Sequence, residues 1–356
     1  MGAVDLDGAR ADAELAADLD GGLVVAPSQD RPAFPAIADH LLELGADRRS
    51  DPASQVARPA KLHVMYAQAL GIGELEILRD AADSLKLDVC FVTEGEDADG
   101  EFPVRSLDLL RLGDFETGHV SALSGNAAYN YFAHAVEECM AGRAQGIVTA
   151  PLNKAAINMA GHRFAGHTDI LETMTEVEPV MALWHPKLVV GHVTDHVPLR
   201  QALRAITVAR VKHTARLTWE AVQRAKGTTP RVALAGVNPH AGENGLFGTE
   251  EIEILRPAMA ELEREGFPVS GPYPGDTVFL QALRGQFDAV IAMYHDQGFG
   301  PMKTLDFANG VNCTLGLPFV RTSPDHGTAF EIAGKGIAEP ESMIAAWELA
   351  VKLLNR

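Results

Sequence analysis

The chain is short of cysteine, short of positive charge and without a long apolar run, and each shortage excludes something. Only Cys90, Cys139 and Cys313 occur among 356 residues. All three sit in or beside apolar runs and none has the spacing of a zinc knuckle, which is the usage of a reducing cytoplasm. Lys and Arg number 30 against 48 Asp and Glu, a formal net charge of −18. That field repels a phosphate backbone and disfavours nucleic acid, although a local basic pocket can still hold a small anion. No apolar run reaches membrane-spanning length, and no basic stretch precedes an apolar one near the start. Membrane insertion and export are therefore not expected.

What is present is a globular composition, 47% apolar and 22% charged, long enough for two domains or one large α/β unit. The first twenty residues are rich in Ala, Asp and Gly and read as a mobile extension. Leu23–Val25 is a short strand candidate, and Ile37, Leu41 and Leu44 give the face of a helix. Strand and helix patterns then alternate. Leu62–Tyr66 and Leu87–Val92 read as strands around a helix near 73–85, and Gly125–Ala141 as a helix. Gly146–Thr149, Leu188–Val193, Val232–Val237 and Phe287–Met293 read as buried strands, and Leu199–Lys226 as a long helical region. Glu250–Glu265 is helical, with Pro257 expected to divide it, and Pro340 opens a last helix. The alternation predicts an α/β fold with a mostly parallel sheet covered on both faces.

Three of the thirteen histidines share one setting. His196, His240 and His295 each follow the C-terminal end of a predicted buried strand, the edge where open α/β sheets bind ligands. One such residue is more often structural. Three at equivalent positions suit a divalent metal with positions left open for substrate. Elsewhere Lys303 and Arg321 sit among Gly, Asn and Thr, as cations able to hold a phosphate or carboxylate, against the usual fate of a surface cation. His167-Thr168 precedes a predicted helix Asp169–Met174 and can donate to an anion there, with a simple Thr168 N-cap as the plain alternative. The stretch His326–Pro340 places a His-Gly turn before a short helix-like run and closes it with Gly-Lys-Gly. Backbone N–H groups at such turns hold anions or a nucleotide edge.

That last stretch resembles the nucleotide-binding loop of the isopropylmalate and isocitrate dehydrogenases. From about Gly125 onward the chain resembles the 4-hydroxythreonine-4-phosphate dehydrogenase family. The matching segments are Thr-Ala-Pro-Leu-Asn-Lys (149–154), Ala-Gly-His-Thr-Asp (165–169), Asn-Pro-His-Ala-Gly-Glu (238–243), Gly-Asp-Thr-Val-Phe (275–279), Tyr-His-Asp-Gln-Gly (294–298), residues 310–323 and Asp-His-Gly-Thr-Ala (325–329). The first 120 residues match weakly. Where the family has a glycine-rich loop after its first strand, this chain has Pro27–Pro35 with no glycine, so the backbone there cannot adopt positive φ freely.

The resemblance implies two α/β/α lobes with a central cleft, of isocitrate/isopropylmalate dehydrogenase type. Residues 21–124 with 301–356 would form the nucleotide-binding lobe, and 125–300 the metal, substrate and dimerisation lobe. It implies that His196, His240 and His295 bind one metal (Zn, Mg, Mn or Co) at a homodimer interface. His167, Thr168, Lys303, Asn312 and Arg321 would contact substrate. His326, Gly327, Thr328 and Gly334 would bind NAD or NADP. Lys154 and Asp276 are the two proton-acceptor candidates; Lys154 rests on burial lowering its pKa, and Asp296 is a possible partner for a ligand histidine. The implied reaction oxidises 4-(phosphooxy)-L-threonine to a 3-oxo acid that loses carbon dioxide to give 3-amino-2-oxopropyl phosphate, as in cytoplasmic pyridoxal phosphate biosynthesis. The alternatives are D-threonate or D-erythronate 4-phosphate as substrate, an aromatic cis-dihydrodiol, a non-catalytic paralogue in view of the altered loop, and a zinc hydrolase.

Overall fold

The computed structural model describes residues 24–27, 69–87, 89–95, 102–306 and 309–354. The expected extension, the helix over 37–44, the strand 62–66 and most of the Pro27–Pro35 loop lie outside these. The chain forms two compact units, one from the chain up to Phe164 with His326–Glu341, the other from Ala165–Asp325 with Ser342–Arg356. These divisions differ from those expected near 124 and 300.

The first unit holds β1 (Val24–Pro27), β2 (Ala69–Ile72), α1 (Leu75–Leu85), β3 (Phe91–Thr93), β4 (Phe102–Arg105), α2 (Ala122–Met140), β5 (Gly146–Thr149) and α3 (Lys154–Met159). Its strands run in the order β3-β4-β2-β1-β5. β4 is parallel to β2 and β3, whereas β1 is antiparallel to both β2 and β5. Ser121 caps α2 by accepting from the Ser124 N–H, which satisfies one orphan donor of its first turn. The buried Glu74 carboxylate accepts from the Asp108 and Leu109 amides and from the Tyr131 hydroxyl. A loop, a helix start and α2 are thereby tied together.

The second unit holds α4 (His167–Thr175), β6 (Val180–His185), β7 (Leu188–His192), α5 (Leu199–Ala205), α6 (Val208–Lys226), β8 (Val232–Ala235), α7 (Arg256–Arg264), β9 (Val269–Tyr273), α8 (Val278–Leu283), β10 (Ala289–Ala292), α9 (His295–Leu305), β11 (Val311–Leu315), β12 (Val320–Pro324) and α10 (Glu341–Leu354). Its strand order is β12-β11-β6-β7-β10-β8-β9. β7, β10, β8 and β9 are parallel, while β6, β11 and β12 join by antiparallel ladders. The sheet is thus mixed rather than mostly parallel. β7, β8 and β10 are buried at every position, as expected of parallel strands covered on both faces. One face packs Met181, Val190, Ala233 and Val290 against Val278 and Phe279 of α8 and Phe299 and Met302 of α9.

The helical region 199–226 is two helices, α5 and α6, with Thr207 capping the second through its hydroxyl. The region 250–265 divides at Pro257 into a π-type turn, Glu251–Leu255, and α7, as the missing proline N–H requires. Among the described residues no helix is long and apolar enough to cross a membrane.

Candidate active site

Because β7, β10 and β8 are parallel neighbours, their C-terminal ends share one edge of the second unit's sheet. His196 follows β7, His295 is the first residue of α9 after β10, and His240 lies in the turn after β8. The structure brings two of them together: the His196 and His295 rings are 5.2 Å apart between centroids. His295 stacks on Phe299 one helical turn later at 3.9 Å. Its Nδ1 meets the Asp296 carboxylate at 2.7 Å. That is the orienting contact anticipated for Asp296, and it leaves Nε2 as the nitrogen for a ligand. Among the described residues no group of three His, Cys, Asp or Glu side chains could hold a metal ion. The three histidines therefore do not assemble a triad within one chain. The donor chemistry fits a metal through the His196–His295 pair, with a third ligand still to be supplied.

His192, the last residue of β7, is 1% exposed and 5.1 Å from the Phe299 ring on which His295 stacks. Burial pushes its imidazole down to about 4, with the nearby His295 and His196 acting the same way and the Met181 carbonyl opposing. It is therefore neutral at pH 7, packed against Phe299.

The expected anion contacts Asn312 and Arg321 lie on β11 and β12. Asn312 lies opposite Ser323, and Thr314 opposite Arg321, so these four side chains share one sheet face. Met181, which pairs with Thr314 and packs in the cluster with α9, identifies that face as the one α9 covers. Arg321 is 3% exposed and donates to the Thr314 hydroxyl at 3.0 Å. Burial lowers its guanidinium to about 10, which still leaves it charged at pH 7. Lys303, in the last turn of α9, is exposed and pairs with the Asp325 carboxylate at 3.0 Å, just beyond β12. Its ammonium lies 5.7 Å from the Phe299 ring centre. The surface-cation reading thus fails for Arg321.

Three sequence expectations change here. Helix α4 begins at His167, with Gly166 at the N-cap and no side-chain cap. Thr168 is thus inside the first turn and is not the cap, while Asp169 accepts from the Ala165 N–H. Lys154 is exposed at the first position of α3, where Asn153 caps the helix through the Ala156 N–H; this chain does not supply the burial invoked to make it a base. The helix-like run after His326 is a single 3₁₀ turn, Phe330–Ile332. Gly334 and Gly336 do turn the chain with positive φ.

In the first unit, His326 Nδ1 is 2.9 Å from the Gly327 carbonyl, and Gly327 has open space on its Cβ side. Thr328 is half-buried beside them, and Asp276, in the second unit, is exposed in the turn after β9.

Sequence reasoning missed Thr314, His192, Glu251 and Gln297. Glu251 carried a signal: with Leu255, Ala258 and Leu262 it lies on one helical stripe, all buried, and a carboxylate there is out of place.

A sequence profile of the family described as Pyridoxal phosphate biosynthetic protein PdxA matches residues 65–350. A D-threonate 4-phosphate dehydrogenase of Salmonella typhimurium is 48% identical over 263 residues, 74% of this chain and 80% of that protein. A 4-hydroxythreonine-4-phosphate dehydrogenase of Beijerinckia indica is 48% identical over 237 residues, 66% of this chain and 70% of that protein. Among solved structures, a 4-hydroxythreonine-4-phosphate dehydrogenase from Klebsiella pneumoniae superposes with a TM-score of 0.74 at 38% identity, covering 84% of this chain and 94% of that one.

Proposed function

This chain belongs to the PdxA family of phosphorylated hydroxy-acid dehydrogenases, and from that premise we propose that it oxidises D-threonate 4-phosphate with NAD as acceptor. The two candidate acids differ at C2, which carries a hydroxyl in threonate and an ammonium in hydroxythreonine. The observation that carries the choice is the longer match, at equal identity, to a relative named for D-threonate. This reading replaces 4-(phosphooxy)-L-threonine as the first assignment and leaves pyridoxal phosphate biosynthesis as the alternative.

Arg321, fixed on its strand by Thr314, offers a planar fork for a phosphate or carboxylate. Asn312 lies on the same face, and Lys303 is held nearby through Asp325. The first-turn amides of His167 and Thr168 add a helix N-terminus suited to an anion. His196, His240 and His295 are the metal ligands of this reading, and His326, Gly327, Thr328 and Gly334 the nucleotide loop. When bound, the metal supplies a Lewis acid at the hydroxyl and the nicotinamide supplies the hydride acceptor. Oxidation at C3 gives a 3-oxo acid, and loss of carbon dioxide from it leaves dihydroxyacetone phosphate. Lys154 and Asp276 remain the two assignments for the proton acceptor.

The functional unit is a homodimer in this reading. Val197, Leu199 and Leu203 follow His196, and Leu246, Phe247 and Ile252 follow His240, all large apolar side chains left exposed. Apolar surface grouped around the ligand histidines suits cover by a second copy, which would bring the missing imidazole. The test is NAD reduction by the metal-loaded protein with each acid in turn. A kcat/KM at least tenfold higher for D-threonate 4-phosphate is expected. Preference for 4-(phosphooxy)-L-threonine would return the chain to the biosynthetic assignment, and turnover of neither would indicate a non-catalytic paralogue.

A further inference from the structure

The turn that carries His240 has an unusual backbone. His240, Ala241, Gly242, Glu243 and Asn244 all have positive φ, between 44° and 78°. Four of these five bear side chains, for which a left-handed run is unfavourable. Something outside the turn must hold it, and two side chains of the second unit do so.

The first is Glu251, a carboxylate 1% exposed. Its Oε1 accepts from the Val237 and Asn238 amides, both at 2.7 Å, and its Oε2 from the Asn238 side-chain amide at 2.9 Å. A Cβ on Gly242 would come within 2.6 Å of Oε2, so the turn folds directly over the carboxylate. The second is Gln297, two residues after His295. Its Oε1 accepts from the Met293 N–H and its Nε2 donates to the Gly236 carbonyl, both at 2.7 Å. One side chain thus ties the end of the His295 strand to the end of the His240 strand. Between them, these two residues hold three consecutive backbone positions, 236–238, that lead into His240.

We propose that Glu251 and Gln297 are positioning residues that fix how the His240 turn is presented at its strand end, and so tune the metal affinity of the site that a second copy completes. This rests on the preceding reading of His240 as a metal ligand. The buried Glu251 carboxylate accepts from the approach to His240, and the Gln297 amide braces that approach against the end of β10, so both are arranged to set the His240 turn.

The test uses the full-length protein and Co²⁺, followed by its visible absorption and by competition with a chelating dye, alongside thermal melting. Gln297→Met keeps volume and helix propensity while removing both hydrogen bonds, and Glu251→Gln keeps shape while removing the charge. Each is expected to lower Co²⁺ affinity by about tenfold to a hundredfold, the range for orienting partners, and to alter the absorption envelope in a protein that still melts cooperatively. Gln297→Glu, which restores only the acceptor, should recover little. Folded variants that bind Co²⁺ as the wild type does, with only a lower melting temperature, would show a merely structural role and overturn the proposal. His240→Ala separates the two claims. If it too leaves Co²⁺ affinity unchanged, the ligand reading fails and the positioning role with it. If it alone weakens binding, only the positioning role fails.

Discussion

Gly298→Ala tests how α9 is seated. A Cβ built at Gly298 falls 2.2 Å from His192 Nε2 and 2.8 Å from Val190 Cγ1, where ordinary contact begins at 3.4 Å. His192 is 1% and Val190 0% exposed, so neither neighbour can swing away, and relief requires α9 to lift by about 1 Å over β7. Two effects oppose each other. Glycine in a helix costs roughly 1 kcal/mol relative to alanine, which favours the substitution. Overpacking a rigid core costs about 1–3 kcal/mol, and here a ring and a strand are both struck, so the upper part of that range applies. The net expectation is destabilisation by about 1–2 kcal/mol, read from urea unfolding at constant m-value. Because His295 opens α9 and Lys303 closes it, the same variant should lose metal affinity and anion affinity together. A rise in stability would refute the close approach of α9 to His192 and Val190 of β7.

Other outcomes follow from the same geometry. Arg321→Met should cost about 1–3 kcal/mol of stability, because it leaves the buried Thr314 hydroxyl without its donor. It should lower kcat/KM for the phosphorylated acid by about a hundredfold or more, the loss of charge-assisted bonds; wild-type turnover would remove Arg321 from the site. Leu199→Asp with Leu203→Asp should give monomers by light scattering, with weakened metal binding; a dimer of wild-type affinity would contradict the proposed interface. Glu138 is held down to about 2 by Arg143, with burial opposing and Arg105 adding to the effect. Its contribution to stability is therefore complete above the ordinary value of 4.5 and lost as pH falls toward 2. The difference in melting temperature between wild type and Glu138→Gln should close over that window, and a difference independent of pH would refute the assignment.

How much the sequence reveals depends on what each element must hide. β7, β8 and β10 are buried along their whole length, so they read as short apolar runs, and the histidines placed after them stand where the pattern predicts. β11 and β12 do not read this way, because Asn312, Thr314, Arg321 and Ser323 line one face. β11 alternates Val311, Cys313 and Leu315 with Asn312 and Thr314, the pattern of a half-exposed strand, although all but Asn312 is buried; β6, antiparallel to its neighbours, is by contrast a continuous buried run over Val180–His185 that an apolar-run reading reaches. The turn at 240–244 has no local signature, since only one of its five left-handed residues is glycine; the constraint arrives from Glu251 and Gln297, distant in sequence. Lys154 shows the reverse error, where a strand end suggested burial and the helix start instead left the side chain in solvent. The expected break at 124 fell elsewhere because α2 and α3 pack together within the first unit. The last helix joins the second, where the Thr322 hydroxyl of β12 donates to the Ala346 carbonyl.

The most direct test of the account is the stoichiometry of a single turnover. Dimeric, metal-loaded protein would be mixed with limiting D-threonate 4-phosphate and excess NAD, and NADH, carbon dioxide and the phosphorylated product would be quantified together. The account predicts one NADH, one carbon dioxide and one dihydroxyacetone phosphate for each substrate consumed, all lost in His295→Ala. No NADH from D-threonate 4-phosphate, under conditions where 4-(phosphooxy)-L-threonine is oxidised, would contradict it.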